Sequence, residues 1–486
     1  MPFQFLRTDR RAWLALALLF FVSLPAVTTR IYASDEAEYF SYLRSLWFDG
    51  DVSFENEYRY FHEHGLANAA GFRETFLERR SATGLRENFG TIGCAILWSP
   101  FYAAGDVVAR ALHAAGRPVE TDGFSKPYIA AVCYGSAFYG FLALVLSAAA
   151  ARAALGDAGR RPGEEALAAA AVWFATPLAF YMYVSPPFSH ACSAFAVAAF
   201  VFTWLRVRRT WSVGGFVALG ALGALMTMVR EQDAFFAFGP AVDCLVTGVA
   251  AAGRSDSSAS RDRPRETPLR PLFRLFLGAA AGAAAFAAAF LPQALAYLAL
   301  NGRIGPSPMV SRKMDWWAPH GLQVLFSPEH GLLFWTPLVA VALLGLTAWA
   351  IRPGDRRAVA VACLVMFAAQ VYISGSVGSW SAAGGFGHRR FVATTVILVA
   401  GLCALWRGAA GRMARTTVAA AVVLCAWWNV ALMIQFGTGL MNRQRLELAR
   451  NARAAFVEVP ARLPELARRY LFDRASFYAP PGARTP

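Results

Sequence analysis

The sequence predicts an all-α polytopic membrane protein with about eleven transmembrane helices and a long first outer loop. The first observation is composition: the 486 residues are 57% hydrophobic and only 16% charged, with a mean hydropathy of +0.40. The second is that apolar runs of about 18 residues, long enough to cross a bilayer, recur along almost the whole chain. The third is that the arginines stand in short clusters between those runs. Clusters placed in this way report membrane topology, so the net charge of +15 does not indicate a nucleic-acid partner.

The arginine clusters orient the spans, because loops rich in arginine face the cytoplasm. The clusters are Arg7, Arg10 and Arg11; Arg152, Arg160 and Arg161; Arg206, Arg208 and Arg209; Arg254 to Arg274; Arg352, Arg356 and Arg357; and Arg407, Arg412 and Arg415. If every cluster is cytoplasmic, the spans between clusters come in outward and inward pairs. The pairs are 166–184 with 188–205, 212–229 with 234–251, 275–300 with 331–351, and 358–375 with 390–406. A last span, 416–436, then leads outside.

Between the first two arginine clusters the sequence has three apolar stretches, 12–29, 91–112 and 127–151. If both clusters are cytoplasmic, only two of these stretches can cross the membrane. The middle stretch carries a proline and three polar or charged residues, so we interpret it as an interfacial helix on the outer surface. This interpretation gives eleven crossings and one outer loop, 31–125. That loop holds 14 acidic residues against 8 arginines, as expected on the non-cytoplasmic side.

Three segments follow from this topology. Residues 1–436 form the transmembrane domain, and the polar stretch 252–272 within it is a cytoplasmic linker. Residues 437–486 form an extracytoplasmic tail whose Arg/Leu/Ala pattern predicts amphipathic helices. The tail is a candidate cap for a site or a candidate surface for a partner, and the sequence leaves both open.

Polar side chains collect at the predicted outer face. All seven histidines fall in outer loops or at outer helix ends, and they are His62, His64, His113, His190, His320, His330 and His388. The inner loops offer little beyond arginine. We therefore expect the functional site at the outer surface, with His190, Lys313 and His330 among the substrate-binding candidates.

Arg230, Glu231 and Asp233 lie where a pair of predicted spans turns. Ionisable residues at membrane depth are costly and by default mark functional sites. The alternative is a hairpin tip whose charges simply reach water. We take the three residues as candidates for substrate binding.

His388, Arg389 and Arg390 follow a glycine-rich stretch and begin a predicted span. Glycines allow close approach of the backbone to a ligand, and a helix N-terminus with two guanidiniums suits a phosphate. The alternative is a basic anchor against lipid headgroups. A basic pair on the outside opposes the positive-inside tendency, so anion binding is the favoured interpretation.

The stretch "FHEH" at 61–64 has a metal-like appearance. Its two histidines are spaced for an extended segment, whereas helical ligands need a spacing of i and i+4. No third ligand accompanies them, and the seven dispersed cysteines have no C-x-x-C spacing. The residues therefore predict no metal site.

The stretch "SDEAEYF" at 34–40 places three carboxylates directly after the first predicted span. Asp35 followed by Glu38 fits a capping box, and apolar residues from Tyr39 onward recur at helical spacing. In this interpretation Glu38 is the cap partner and Glu36 is a surface charge. The alternative is that Asp35 and Glu36 perform chemistry at the membrane surface.

A family resemblance strengthens that alternative. The first span, the D-E pair just outside it and the long outer loop with interfacial helices resemble the GT-C superfamily of integral membrane glycosyltransferases. Protein O-mannosyltransferases and lipid A aminoarabinose transferases belong to that superfamily. The stretches "DEAEYFSYLRSLWFDGDVSFENEY", "PFY", "GFSKPY", "SPPFSH", "VREQDAFF", "FSPEHGLLFWTP" and "GGFGHRRF" look like an uncharacterised bacterial branch of it, and the resemblance covers most of the chain.

The resemblance implies a fold, a reaction and a location. The fold is GT-C-like, and the reaction moves a hexose or pentose from a polyprenyl-phosphate donor to a glycan, lipid or protein acceptor. The site faces the exterior or periplasm of a bacterial inner membrane. By position, Asp35 matches the carboxylate that activates the acceptor, with Glu36 second, and Arg389, Arg390 and Arg230 would stabilise the leaving phosphate. The resemblance leaves divalent-metal dependence open.

The chain departs from the superfamily at one point, because a second acidic pair in a later outer loop is not clearly present. Glu231 and Asp233 are the candidates for that pair. Two other classes remain alternatives: a transporter or flippase of a polyprenyl-linked glycan, and a non-catalytic membrane assembly subunit. A transporter is expected to carry charge or broken helices near the membrane midplane. Here the polar groups gather at one face, which favours an enzyme.

Overall fold

The computed structural model describes residues 9–65, 71–246, 269–354, 356–382 and 384–477. Within these ranges the regular elements are helices, and pairing between extended segments is confined to two isolated bridges, Arg80–Arg86 and Met314–Val377. The predicted linker 252–272 lies outside the described residues up to residue 268. The prediction of an all-α protein is confirmed for the part of the chain that the structure describes.

Six helices in the described ranges are long and apolar enough to cross a membrane. They are Lys126–Leu155, His190–Val207, Phe273–Asn301, Arg357–Gly375, Arg389–Gly408 and Gly411–Thr438. Two shorter apolar helices are Val213–Val229 and Leu338–Ile351. These helices have the character of an integral membrane protein. The count of eleven crossings stays a prediction.

The other helices are shorter or more polar. They are Arg10–Ser23, Ser34–Arg44, Glu55–Glu63, Gly93–Ala114, Glu164–Ala175, Leu178–Tyr183, Pro308–Arg312, Gly321–Phe326, Leu332–Trp335, Leu448–Arg453 and Val459–Phe472, with one more over 238–246. Turns of 3₁₀ type lie at Leu24–Ala26, Glu231–Ala237, Arg389–Thr394 and Arg474–Phe477. Turns of π type lie at Ser45–Asp49, Arg73–Glu78 and Ala454–Glu458.

Glycines let two pairs of apolar helices approach to backbone contact. A Cβ added at Gly220 would lie 2.0 Å from the carbonyl oxygen of Gly282, which joins Val213–Val229 to Leu269–Asn301. A Cβ added at Gly345 would lie 2.0 Å from the carbonyl oxygen of Gly401. Small residues at such crossings are the usual means of packing helices in membranes.

Two predicted spans are interrupted by prolines. The span 166–184 breaks before Pro177 into Glu164–Ala175 and Leu178–Tyr183, and the span 331–351 breaks before Pro337. A proline has no N–H and disfavours a helical residue before it, so carbonyls are freed at each break. Asn429 Nδ2 donates to the carbonyls of Phe174 and Thr176, at 2.9 Å each, and Trp428 Nε1 donates to the Phe334 carbonyl at 2.9 Å. Neighbouring residues of one helix thus satisfy carbonyls at both breaks.

Three of the predicted cytoplasmic arginine clusters meet at one end of the helices. Arg160 pairs with Asp9 and with Glu165, and Arg407 pairs with Glu164. The carboxylates are almost wholly buried, and the arginines hold them. This ionic cluster ties the start of the first helix to the loop 156–163 and to the end of Arg389–Gly408.

Candidate functional site

The helix Ser34–Arg44 begins two residues earlier than the capping prediction assumed. Its N-cap is Ala33, so the third helical residue is Glu36. Glu36 Oε2 accepts hydrogen bonds from the backbone N–H groups of Tyr32, at 2.8 Å, and Ala33, at 3.2 Å. The capping box of Asp35 with Glu38 is therefore wrong, because Glu36 performs that function.

Glu36 is also not the surface charge that the pattern suggested. Its side chain is completely buried, and burial raises its pKa to about 8. Its hydrogen bonds go to the backbone at the start of its own helix. This arrangement stabilises the helix and leaves Asp35 as the carboxylate that is open to a ligand.

Asp35 forms an ion pair with a residue from the other end of the chain. Its Oδ2 lies 2.8 Å from Arg389 Nη1, and the Asp35 side chain is 44% exposed. The Arg389 guanidinium also lies 5.2 Å from the centre of the Phe188 ring. The structure thus brings together the predicted base and the predicted phosphate-binding arginine.

Glu38 lies one turn after Asp35 and is buried. Its pKa is raised well above the ordinary value, first by burial and then by the nearby charge of Asp35. Asn88 Nδ2 donates to the Glu38 carbonyl at 3.1 Å and so joins this helix to the segment before Gly93. Glu38 is part of the site's support rather than a cap partner.

Arg230 is the centre of a second polar cluster. Its guanidinium contacts the His190 ring and donates to Gln232 Oε1 at 3.1 Å. Gln232 Nε2 in turn donates to the Arg390 carbonyl at 3.1 Å. The predicted residues His190, Arg230 and Arg390 are therefore connected through Gln232, which sequence reasoning missed.

A cavity of about 480 Å³ opens beside this cluster. Four predicted site residues line it, and they are Arg230, Glu231, Lys313 and Arg390. The apolar part of its wall includes Phe89, Phe235, Val310, Met314, Trp316 and Ile373. Tyr39, one turn after Asp35 on the same helix, also lines the cavity, whereas Asp35 and Arg389 are not among its lining residues. A wall with three cations and many apolar groups suits an amphiphile with an anionic head.

The loop that carries Lys313 is held in place by backbone contacts. The Gly378 N–H donates to the Lys313 carbonyl at 2.6 Å, and the Asp315 N–H donates to the Ser376 carbonyl at 2.7 Å. Lys313 Nζ lies 5.9 Å from the centre of the Phe89 ring. Among the described residues no carboxylate pairs with Lys313, whereas Arg389 pairs with Asp35. Its ammonium is thus available to a ligand in the cavity.

Glu231 and Asp233 have different surroundings. Glu231 lines the cavity and contacts the Tyr297 hydroxyl, and burial raises its pKa. Asp233 is fully buried, accepts a hydrogen bond of 2.6 Å from Ser193 Oγ, and has a pKa raised by burial to about 7. A hairpin tip with solvated charges therefore does not describe Asp233. Only Glu231 of the pair reaches the cavity.

His330 and His388 lie behind the site and not in its wall. His330 is buried, stacks on Trp335, and has Nε2 3.0 Å from the Arg443 carbonyl. His388 is buried against Phe391, and neither ring nitrogen has a hydrogen-bond partner in the described part of the chain. The two histidines support the loop before Arg389 instead of lining the cavity.

The structure also shows the surroundings of two tryptophans and of the FHEH stretch. Trp316 faces the cavity, while the neighbouring Trp317 is almost wholly exposed. His62 lies in the helix Glu55–Glu63, which excludes the extended geometry that a metal site there would need. Among the described residues no three histidine, cysteine or acidic side chains are grouped to hold a metal ion.

No protein-family model matches the chain, and no curated protein matches it.

Proposed function

We propose that the protein is a GT-C-type glycosyltransferase of the bacterial plasma membrane. It moves a sugar from a polyprenyl-phosphate donor to an acceptor on the extracytoplasmic side. The observation that carries the proposal is the cavity in which Arg230, Lys313 and Arg390 share a wall with apolar side chains. Arg390 follows Arg389 in the chain, and Arg389 pairs with Asp35. The GT-C resemblance and the eleven-span topology are part of the same proposal.

The cavity supplies what a polyprenyl-phosphate sugar requires. Guanidinium and ammonium groups bind phosphate oxygens, and the aromatic and aliphatic wall takes the first isoprene units or the sugar ring. As the sugar leaves, negative charge grows on the phosphate oxygen, and fixed cations stabilise that charge most strongly in the transition state. In this proposal Glu231, which lines the cavity, accepts a hydrogen bond from a sugar hydroxyl.

Asp35 has the position of the acceptor's base. The acceptor oxygen forms a bond to the anomeric carbon while the bond from that carbon to the phosphate oxygen breaks. The phosphate leaves with the bonding electrons, and the acceptor proton goes to Asp35. Arg389 holds the Asp35 carboxylate in place before the reaction. Glu36 is buried and occupied by backbone donors, so Asp35 is the better supported of the two candidates.

A transfer assay with purified protein in lipid vesicles tests the proposal. The wild type, Asp35→Asn and Glu36→Gln are compared with polyprenyl-phosphate hexoses and pentoses, and Asp157→Asn, an exposed residue far from the site, is the control. We expect loss of transfer in Asp35→Asn and retention in Glu36→Gln and Asp157→Asn. Full transfer by Asp35→Asn overturns the assignment of the base.

The same preparation separates the enzyme from the flippase. A protein that transfers no sugar but moves a fluorescent polyprenyl-phosphate lipid across the vesicle membrane is the transporter. Failure in both assays, with a folded protein and a range of donors, favours the assembly subunit.

A further inference from the structure

A narrow apolar groove lies at the end of the helices where the predicted cytoplasmic arginine clusters meet. It has a volume of about 320 Å³ and lies between the helices Glu164–Ala175, Arg389–Gly408 and Gly411–Thr438. Apart from Glu164, the residues that line it are apolar. Val423, one of them, is 65% exposed, so the groove is open on the side that faces lipid when these helices cross a membrane.

The shape of the groove limits what can enter it. Val418, Val422 and Ala426 line it at steps of four residues, so they share one face of their helix and extend over about 12 Å. A helix of about 10 Å diameter and the same length would occupy on the order of 900 Å³, well above the volume of the groove. The groove therefore admits one linear hydrocarbon chain and not the helix of a partner protein.

Two arginines stand at one end of the groove. Arg161 Nη1 donates to the carbonyl of Trp406, a lining residue, at 3.2 Å, and its guanidinium lies 5.9 Å from the centre of the Trp406 ring. Arg415 precedes Val418 by one turn, so it continues the lined face of its helix toward the same end. Its Nε donates to the Gly411 carbonyl at 2.9 Å. In the part of the chain that the structure describes, neither guanidinium pairs with a carboxylate.

The one acidic residue in the wall of the groove is neutralised by its neighbours. Arg407 pairs with Glu164 Oε1, and the backbone N–H of Arg161 donates to Glu164 Oε2 at 3.0 Å. The charges of Arg161 and Arg415 are therefore not cancelled at this end. An apolar groove that ends at two such cations is complementary to an amphiphile with one linear chain in the groove and an anionic head.

From this complementarity we propose that the groove binds an anionic phospholipid. One acyl chain lies along the groove, and the phosphate contacts the guanidiniums of Arg161 and Arg415. Basic pockets between membrane helices on the cytoplasmic side bind anionic headgroups in this way. The site is separate from the cavity lined by Arg230, and it does not depend on the proposed transfer reaction.

Native mass spectrometry of the full-length protein in detergent tests the site, because it counts bound lipids. The protein is titrated with phosphatidylglycerol and, separately, with phosphatidylcholine of the same acyl chains. Arg161→Gln combined with Arg415→Gln removes the cations, and Ala419→Phe fills the groove. The matched controls are Arg357→Gln and Ala420→Phe, at an exposed arginine and an exposed alanine that do not line it. Melting temperatures in lipid-free detergent establish that each variant is folded.

We expect the wild type to bind one phosphatidylglycerol severalfold more tightly than phosphatidylcholine. Loss of the arginines should weaken that binding by about fivefold for each, the equivalent of about 1 kcal/mol per basic residue near the surface. Ala419→Phe should abolish the tight site, and both controls should bind like the wild type. Equal binding of the two lipids overturns the proposal, as does wild-type affinity in the double arginine variant or in Ala419→Phe. A dimer that Ala419→Phe dissociates assigns the groove to a second copy of the chain and also overturns it.

Discussion

Asp35 Oδ2 and Arg389 Nη1 lie 2.8 Å apart, although one residue lies at the start of the helix Ser34–Arg44 and the other begins a late apolar helix. The pair joins the helix Ser34–Arg44 to the start of the helix Arg389–Gly408. Arg389 is also packed over Phe188, so its guanidinium is fixed before any ligand arrives. A fixed cation next to a partly exposed carboxylate is a preorganised arrangement for charge that develops during a reaction.

Replacement of Arg389 should therefore lower the rate of sugar transfer. We expect Arg389→Gln to reduce kcat on the order of 10²-fold, the cost of losing one preorganised donor. Arg389→Lys should recover part of that loss, because it keeps the charge but not the planar fork. Arg59→Gln, an exposed arginine of the same outer loop, is the matched control. A wild-type rate in Arg389→Gln contradicts the assignment.

Lys313 should act on donor binding. We expect Lys313→Gln to raise KM for the polyprenyl-phosphate donor by about tenfold, the effect of about 1.4 kcal/mol of lost binding, with a smaller change in kcat. The chain offers a matched control, since its one other lysine, Lys126, lies outside the cavity wall. Lys126→Gln should leave KM unchanged. An equal increase in KM for both variants would show a general effect of charge.

Much of the grouping of residues at the candidate site could be predicted from the sequence. The arginine clusters predict one membrane side, so the remaining ionisable residues were expected together at the other. Arg230, Glu231, Lys313 and Arg390 indeed line one cavity, and Asp35 meets Arg389. Ionisable residues at membrane depth are costly, and each is therefore informative.

The other features of the site and fold depended on exact residue positions and contacts, which a sequence pattern does not define. A helix start two residues earlier gave Glu36 the role predicted for Glu38, because the third helical residue is the one that reaches back to the N-cap. Gln232 carries no charge and gave no signal, yet it connects Arg230 to Arg390. The spans 166–184 and 331–351 were predicted as uninterrupted, and the structure breaks both at prolines. The contacts of Asn429 and Trp428 that serve these breaks depend on the packing of distant helices.

Stability should fall as pH rises, and Glu36 should be a main cause. Its pKa is about 8 in the folded protein against an ordinary value of 4.5, so the folded state binds more protons in that window. The free energy of unfolding then decreases from pH 4.5 to about pH 8. Glu57 and Asp233, with pKa values raised by burial to about 7, act in the same direction.

Glu36→Gln should weaken that pH dependence. The amide oxygen still accepts from the backbone at the helix start, and no proton is lost at high pH. We expect similar melting temperatures for variant and wild type near pH 5, and a more stable variant near pH 9, by up to a few kcal/mol. Thermal unfolding in detergent checks this, with the exposed Glu120→Gln as control. Parallel curves for Glu36→Gln and wild type would exclude Glu36 as the source.

Asn429 should be more important for stability than its single side chain suggests. Its amide donates to the carbonyls of Phe174 and Thr176, which the break before Pro177 leaves without helical partners. Asn429→Leu keeps a similar volume but leaves these buried carbonyls unpaired, at about 1–3 kcal/mol for each unsatisfied group. We expect a lower melting temperature in detergent, whereas Asn442→Leu, at an exposed asparagine, should melt like the wild type. Asn429→Asp, which keeps the shape but removes the donor, should resemble Asn429→Leu; wild-type stability in both would show that the break needs no partner.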